Sequence, residues 1–83
     1  MSKHEKIIAK ILEGKADANI SFDDLYNILI YLGFEVRVKG SHHIFRKAGI
    51  EEKINIQKEG VNAKPYQVKQ VRKLLIKYQF GGK

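Results

Sequence analysis

Helical spacing governs the first third of the chain. His4, Ile7, Ile8, Ile11 and Leu12 fall on one face of a helix predicted over residues 3–13, and Gly14 ends it. Lys15 to Ile20 reads as a short polar connection. Ser21-Phe22-Asp23-Asp24 reads as a capping box, with the Ser21 hydroxyl serving the first free amides and Asp24 three residues later. Phe22, Leu25, Ile28, Leu29 and Leu32 then form an apolar stripe, and Gly33 is placed to close that helix in the left-handed conformation. From Phe34 the period changes to two. Phe34, Val36 and Val38 point one way and Glu35, Arg37 and Lys39 the other, the pattern of a half-buried strand. Gly40-Ser41 supplies a turn, His42 to Lys47 a second strand, Ala48-Gly49 another turn, and Lys53 to Gln57 a third strand with Ile54 and Ile56 inward. Residues 58–64 read as a loop. Pro65 suits the first turn of a last helix, striped by Val68, Val71, Leu75 and Tyr78 with Leu74 beside them, and Gly81-Gly82-Lys83 reads as a frayed tail.

The predicted fold class is a small α+β domain of order α-α-β-β-β-α, an antiparallel three-stranded meander with helices on one face. A three-stranded sheet needs such cover to be stable in water. All 83 residues are expected in one domain, with a core at about 21–79 and an added N-terminal helix at about 3–13. An apolar content of 43% is enough for a compact core. The chain has no cysteine, which excludes a disulfide framework or a thiolate zinc site. With neither a signal-peptide pattern nor an apolar run long enough to span a bilayer, the expectation is a cytoplasmic protein without membrane association.

Charge alters the picture, because the net +7 is unevenly spread. Residues 1–33 balance at −1 and residues 34–59 at +2, while residues 60–83 carry six basic side chains and no acid, +6. Such a field favours a polyanion or an acidic protein. On the last helix Lys69, Lys73 and Lys77 recur every four residues with Arg72 beside them, away from the apolar stripe. Like charges at that spacing repel mildly, and a nucleic-acid backbone would relieve the repulsion.

The chemistry concentrates in Lys39-Gly40-Ser41-His42-His43-Ile44-Phe45-Arg46-Lys47. Histidine takes and gives protons near neutral pH, and the adjacent cations suit a phosphate. Strand alternation puts His42, Ile44 and Arg46 on one side and His43, Phe45 and Lys47 on the other. Phe45 loses more by exposure than Ile44, so it is expected inward, leaving His42 and Arg46 on the open face, expected roughly 6–7 Å apart along the strand. Diverging histidines make an acid–base pair on one phosphate difficult, and zinc binding poorer still, so no metal and no cofactor are expected.

Gly40-Ser41-His42-His43-Ile44-Phe45, a following basic residue, a further hairpin and a last helix opening with Lys64-Pro65 resemble the HicA family of bacterial and archaeal toxins, over about residues 21–79. The resemblance implies a double-stranded-RNA-binding-like α-β-β-β-α fold with a Gly-Ser-His-x-x-aromatic motif on its second strand. It further implies an mRNA-cleaving endoribonuclease whose histidine is catalytic, silenced by a HicB antitoxin. The motif histidine matches His42, with His43 the fallback; Gly40 and Ser41 shape the turn, Phe45 matches the aromatic, and Lys64-Pro65 the lysine-proline. The helix at 3–13 is additional to the family pattern, and Ile54 to Lys58 lacks the Val-Pro often found there.

The expected function is therefore a metal-independent endoribonuclease toxin acting on mRNA and neutralised by a HicB-like antitoxin. His42 would serve as base, acid or both, Arg46 with Lys39 or Lys58 would steady the phosphate, and Lys39, Gly40, Ser41, Arg46, Lys58, Lys64, Lys69, Arg72, Lys73 and Lys77 would contact RNA. Two alternatives stand beside it: a non-catalytic RNA-binding module, and a protein-interaction domain docking an acidic antitoxin.

Overall fold

The computed structural model describes residues 2–79. Helices α1 (Lys3–Glu13), α2 (Phe22–Tyr31) and α3 (Pro65–Lys77) pack on one face of an antiparallel sheet. Its strands, β1 (Glu35–Lys39), β2 (His42–Lys47) and β3 (Ile50–Ile56), lie in the order β1-β2-β3. A single 3-10 turn, Asp17–Asn19, joins α1 to α2. The predicted α-α-β-β-β-α order therefore holds, with one addition. Residues 58–64, expected as a loop, contain a short hairpin of β4 (Lys58–Glu59) and β5 (Asn62–Ala63). Pairing to the start of α2 stabilises it: the Phe22 amide donates to the Val61 carbonyl and the Ala63 amide to that of Ile20, each at 3.0 Å.

Local chemistry explains the helix ends. At α1 a capping box forms one residue before the predicted start. Ser2 Oγ accepts from the Glu5 amide and Glu5 Oε1 accepts from the Ser2 amide, both at 3.1 Å. At α2 the expected box closes on one side, with Ser21 Oγ accepting from the Asp24 amide at 3.0 Å. The aspartate side chain is one methylene shorter than the glutamate such a box uses, and Ser21 pairs instead with Asn62. Gly33 ends α2 with φ +97°, its amide donating to Ile30 and the next amide, Phe34, to Leu29, both at 3.0 Å. This paired cap folds buried Phe34 back onto buried Leu29, so chain reversal and core packing are one event.

The inner sheet face supplies Phe45, Ile54 and Ile56, all fully buried against Leu25, Ile28, Val68 and Val71 from the helices. Truncating Phe45 to alanine at such a site costs about 3–5 kcal/mol. The α1 helix joins the same core through Ile8 and Ile11. Two strand expectations need correction. Val38 was expected inward but is 59% exposed, because β1 is the edge strand and its end beyond Val36 lies outside the helical cover. β3 begins at Ile50, three residues before the expected Lys53. The alternation was masked by Glu52, which takes an inward-side position and is held there by α3: Lys77 Nζ and the Tyr78 hydroxyl each donate to its carboxylate at 2.7 Å. The predicted tail at 81–83 lies outside the described residues.

Candidate active site

A two-residue turn, Gly40-Ser41, closes the β1–β2 hairpin with Lys39 directly opposite His42. Gly40 has φ +63° there, a left-handed value that suits glycine at the first central position of such a turn. The adjacent histidines then diverge. His42 is exposed on the uncovered sheet face, whereas His43 is half-buried under the helical layer. Its ring meets Phe22 edge-on at 4.9 Å and Tyr26 at 6.0 Å, and its buried Nδ1 has no hydrogen-bond partner among the described residues. Phe45 is inward as expected.

His42 is oriented from the neighbouring strand. Its Nδ1 lies 3.1 Å from Asn55 Oδ1. An amide oxygen only accepts, so Nδ1 carries the proton of this hydrogen bond and Nε2 holds the lone pair. The interaction survives protonation of Nε2, because imidazolium keeps the Nδ1 proton. The imidazole can therefore accept and return a proton at Nε2 without releasing its anchor. Beside it runs a chain of polar contacts toward α3. Gln57 Nε2 donates to Ser41 Oγ at 3.4 Å, and Lys64 Nζ donates to Gln57 Oε1 at 3.4 Å. Gln67, 1% exposed, fixes Gln57 from below, its Oε1 accepting from the Gln57 amide at 3.1 Å. The motif turn and the first turn of α3 are thus joined through one glutamine.

The other expected site residues separate. Four residue steps of β2 lie between His42 and Arg46, about 13 Å at strand rise, twice the expected spacing. Arg46 shares the face but not the immediate surroundings of His42; it stands opposite Glu35 of β1, and a register shift between Phe45 and Lys47 leaves it out of the pairing with β3. The Lys58 ammonium lies over the Phe22 ring, 5.3 Å from its centre, on the His43 side of the sheet. On α3 the stripe divides. Arg72 makes a bidentate pair with Asp17 at 2.8 and 3.2 Å and donates to the Ile11 carbonyl at 3.2 Å. The hydrogen bond to Asp17 lowers the Asp17 pKa and raises that of Arg72. Lys77 is bound to Glu52, and hydrogen bonds from Lys77 and Tyr78 hold the Glu52 carboxyl down at about 2. Lys69 and Lys73 form no ion pair among the described residues, although the charge of Lys69 contributes to the lowered Asp17 pKa. Both are exposed on α3, outside the open sheet face that carries His42.

A family model described as the HicA toxin of bacterial toxin–antitoxin systems matches residues 22–77. The chain belongs to the HicA toxin family. It is thus the toxin of a toxin–antitoxin pair, and the matched segment runs from the first residue of α2 to the last of α3. No curated protein and no solved structure matches it. Among the described residues no helix is long and apolar enough to cross a membrane. In this HicA chain three residues at the site escaped sequence reasoning: Asn55, Gln57 and Gln67. Asn55 had a signal, since it sits between inward Ile54 and Ile56 and so must share the open face. Gln67 had none, because a glutamine in an apolar stripe reads as a surface residue until its partner amide is located.

Proposed function

We propose that this toxin is a metal-independent endoribonuclease acting on mRNA through His42, neutralised by a HicB-like antitoxin. The observation that carries this reading is the hydrogen bond of Nδ1 with Asn55, which leaves Nε2 as an exposed base at the hairpin end. Nε2 takes the proton of a ribose 2′-hydroxyl, the 2′-oxygen attacks the adjacent phosphorus, and the 5′-oxygen leaves. The proton on Nε2 returns to the leaving oxygen, directly or through water, giving a 2′,3′-cyclic phosphate and a 5′-hydroxyl. Lys39, opposite His42, and Lys64, joined to the motif turn through Gln57, are the cations placed to stabilise charge on the phosphate oxygens. Gly40 and Ser41 hold the turn, while Lys69 and Lys73 offer a separate polyanion-facing patch.

The test is expression of His42→Ala with a cleavage assay on purified protein. Cleavage is expected to fall by about 10²–10⁴-fold, with growth arrest relieved and the circular dichroism of the fold unchanged. A folded His42→Ala protein that still cleaves and arrests growth overturns the assignment. RNA bound by both proteins but cut by neither identifies a binding module instead.

A further inference from the structure

Across the uncovered face of the sheet the three strands set out rows of side chains. Lys39 stands opposite His42; Arg37, Ile44 and Asn55 form the next row; Glu35 pairs with Arg46 beyond it. Between these rows runs a shallow groove of about 450 Å³, lined by Glu35, Arg37, Lys39, Ile44, Arg46 and Lys53. It therefore holds four cations against one carboxylate, and none of the four forms an ion pair among the described residues. Exposed cations at this density repel one another, and Glu35 is the one acid of the lining that offsets them.

We infer, resting on the ribonuclease reading of His42, that this groove is the bed for a single-stranded RNA backbone leading away from the cleaved phosphate, with Arg37 and Lys53 binding its phosphates. Charge complementarity selects a polyanion, and the groove is continuous with His42 through Lys39. Arg46, too far from His42 to act on the same phosphate, is placed for one further along the strand. Ile44, cross-strand from Arg37 and two residues before Arg46 on the same face, gives the groove an apolar floor that suits the exposed face of an unpaired base, and guanidinium planes stack on bases. A duplex keeps its base faces internal and offers Ile44 nothing. It also holds the ribose away from the in-line geometry that attack by its own 2′-hydroxyl requires.

The test uses the full chain carrying His42→Ala, so that RNA persists, with fluorescence anisotropy on an unstructured twelve-nucleotide RNA across a salt series. Adding Arg37→Gln and Lys53→Gln is expected to weaken binding roughly tenfold. The slope of log K against log salt is expected to fall by about 1.4, or ~0.7 for each phosphate of a single strand that is no longer neutralised. A blunt duplex of equal length is expected to bind more weakly than the single strand. An unchanged slope overturns the assignment, as does equal or tighter binding of the duplex. Weaker affinity for an acidic protein partner with RNA binding intact also overturns it, in favour of a protein-docking face. Failure of the catalytic reading is separately visible, as a wild-type chain that binds RNA without cutting it.

Discussion

The two basic surfaces of this toxin differ in how their cations are engaged. On α3 the sequence places its densest charge, yet Arg72 is bound to Asp17 and Lys77 to Glu52, leaving Lys69 and Lys73 without an ion pair among the described residues. On the open sheet face four cations from a segment with a net charge of only +2 line one groove beside a single carboxylate. Charge counted along a chain thus misplaces the electrostatic field, because folding pairs some charges and gathers others. Glu52 illustrates both effects. It lowers the net charge of residues 34–59, yet it faces the helical layer and neutralises a lysine of α3 rather than one of the groove.

The comparison is broken most sharply at the adjacent histidines, which sit on opposite sides of the same strand. His43→Phe is expected to keep cleavage near wild type, since His43 acts as an edge-on ring among Phe22 and Tyr26, while Asn55→Ala is expected to lower kcat about tenfold. A fall in cleavage by His43→Phe as deep as that in His42→Ala, in a folded protein, would reverse the assignment of the two faces. Retention of the tautomer-dependent proton signal of His42 in Asn55→Ala, seen by nitrogen NMR, would remove Asn55 from its positioning role.

Arg72 provides the next effect. Its half-buried pair with Asp17 and its bond to the Ile11 carbonyl tie α3 to the end of α1. Arg72→Gln is expected to cost about 1–2 kcal/mol, lowering Tm by roughly 5–10 °C, and to leave the salt dependence of RNA binding unchanged. The pH dependence has a definite sign. The Asp17 pKa is lowered on folding, so the pair contributes its full stability above the ordinary carboxylate range and loses it as pH falls through the lowered value. Arg72→Gln flattens that acid limb of the stability curve. A binding slope that moves with Arg72→Gln while Tm stays fixed would show that the guanidinium serves RNA instead.

Smaller again is the effect of Lys69→Gln with Lys73→Gln. Both lysines lie on α3 and neither lines the groove, so their removal is expected to reduce the salt slope by less than the ~1.4 assigned to Arg37 and Lys53. An equal or larger reduction would return the principal RNA surface to α3. The smallest change is expected for Glu52→Gln. With its folded pKa at about 2, Glu52 stabilises the fold above the ordinary value of 4.5 and loses that contribution as pH falls toward 2. Its exposed partner limits the size of the effect, so acid titrations of wild type and variant are expected to diverge only slightly above pH 4.5 and to converge below about 2. A large divergence at neutral pH would assign Glu52 a larger share in holding α3 to β3.

Period and punctuation in the sequence determined the three helices, the order of the three main strands, both tight turns and the opposed faces of His42 and His43. These depend on residues close in the chain: side chains alternate along a strand, caps act within one helical turn, and glycine permits positive φ where it stands. The resemblance carried by Gly40 to Phe45 belongs to the same class, being a contiguous motif. Only the tertiary structure decided the pairing of Asn55 with His42, the link from Ser41 through Gln57 to Lys64, and the division of the α3 stripe into bound and free cations. Each joins residues whose separation in sequence, 13 for His42 with Asn55 and 55 for Asp17 with Arg72, is closed by packing alone. Burial brings such groups together because the apolar core sets the distance between elements. Polar side chains then pair across whatever gap the core leaves, and no local pattern encodes that gap.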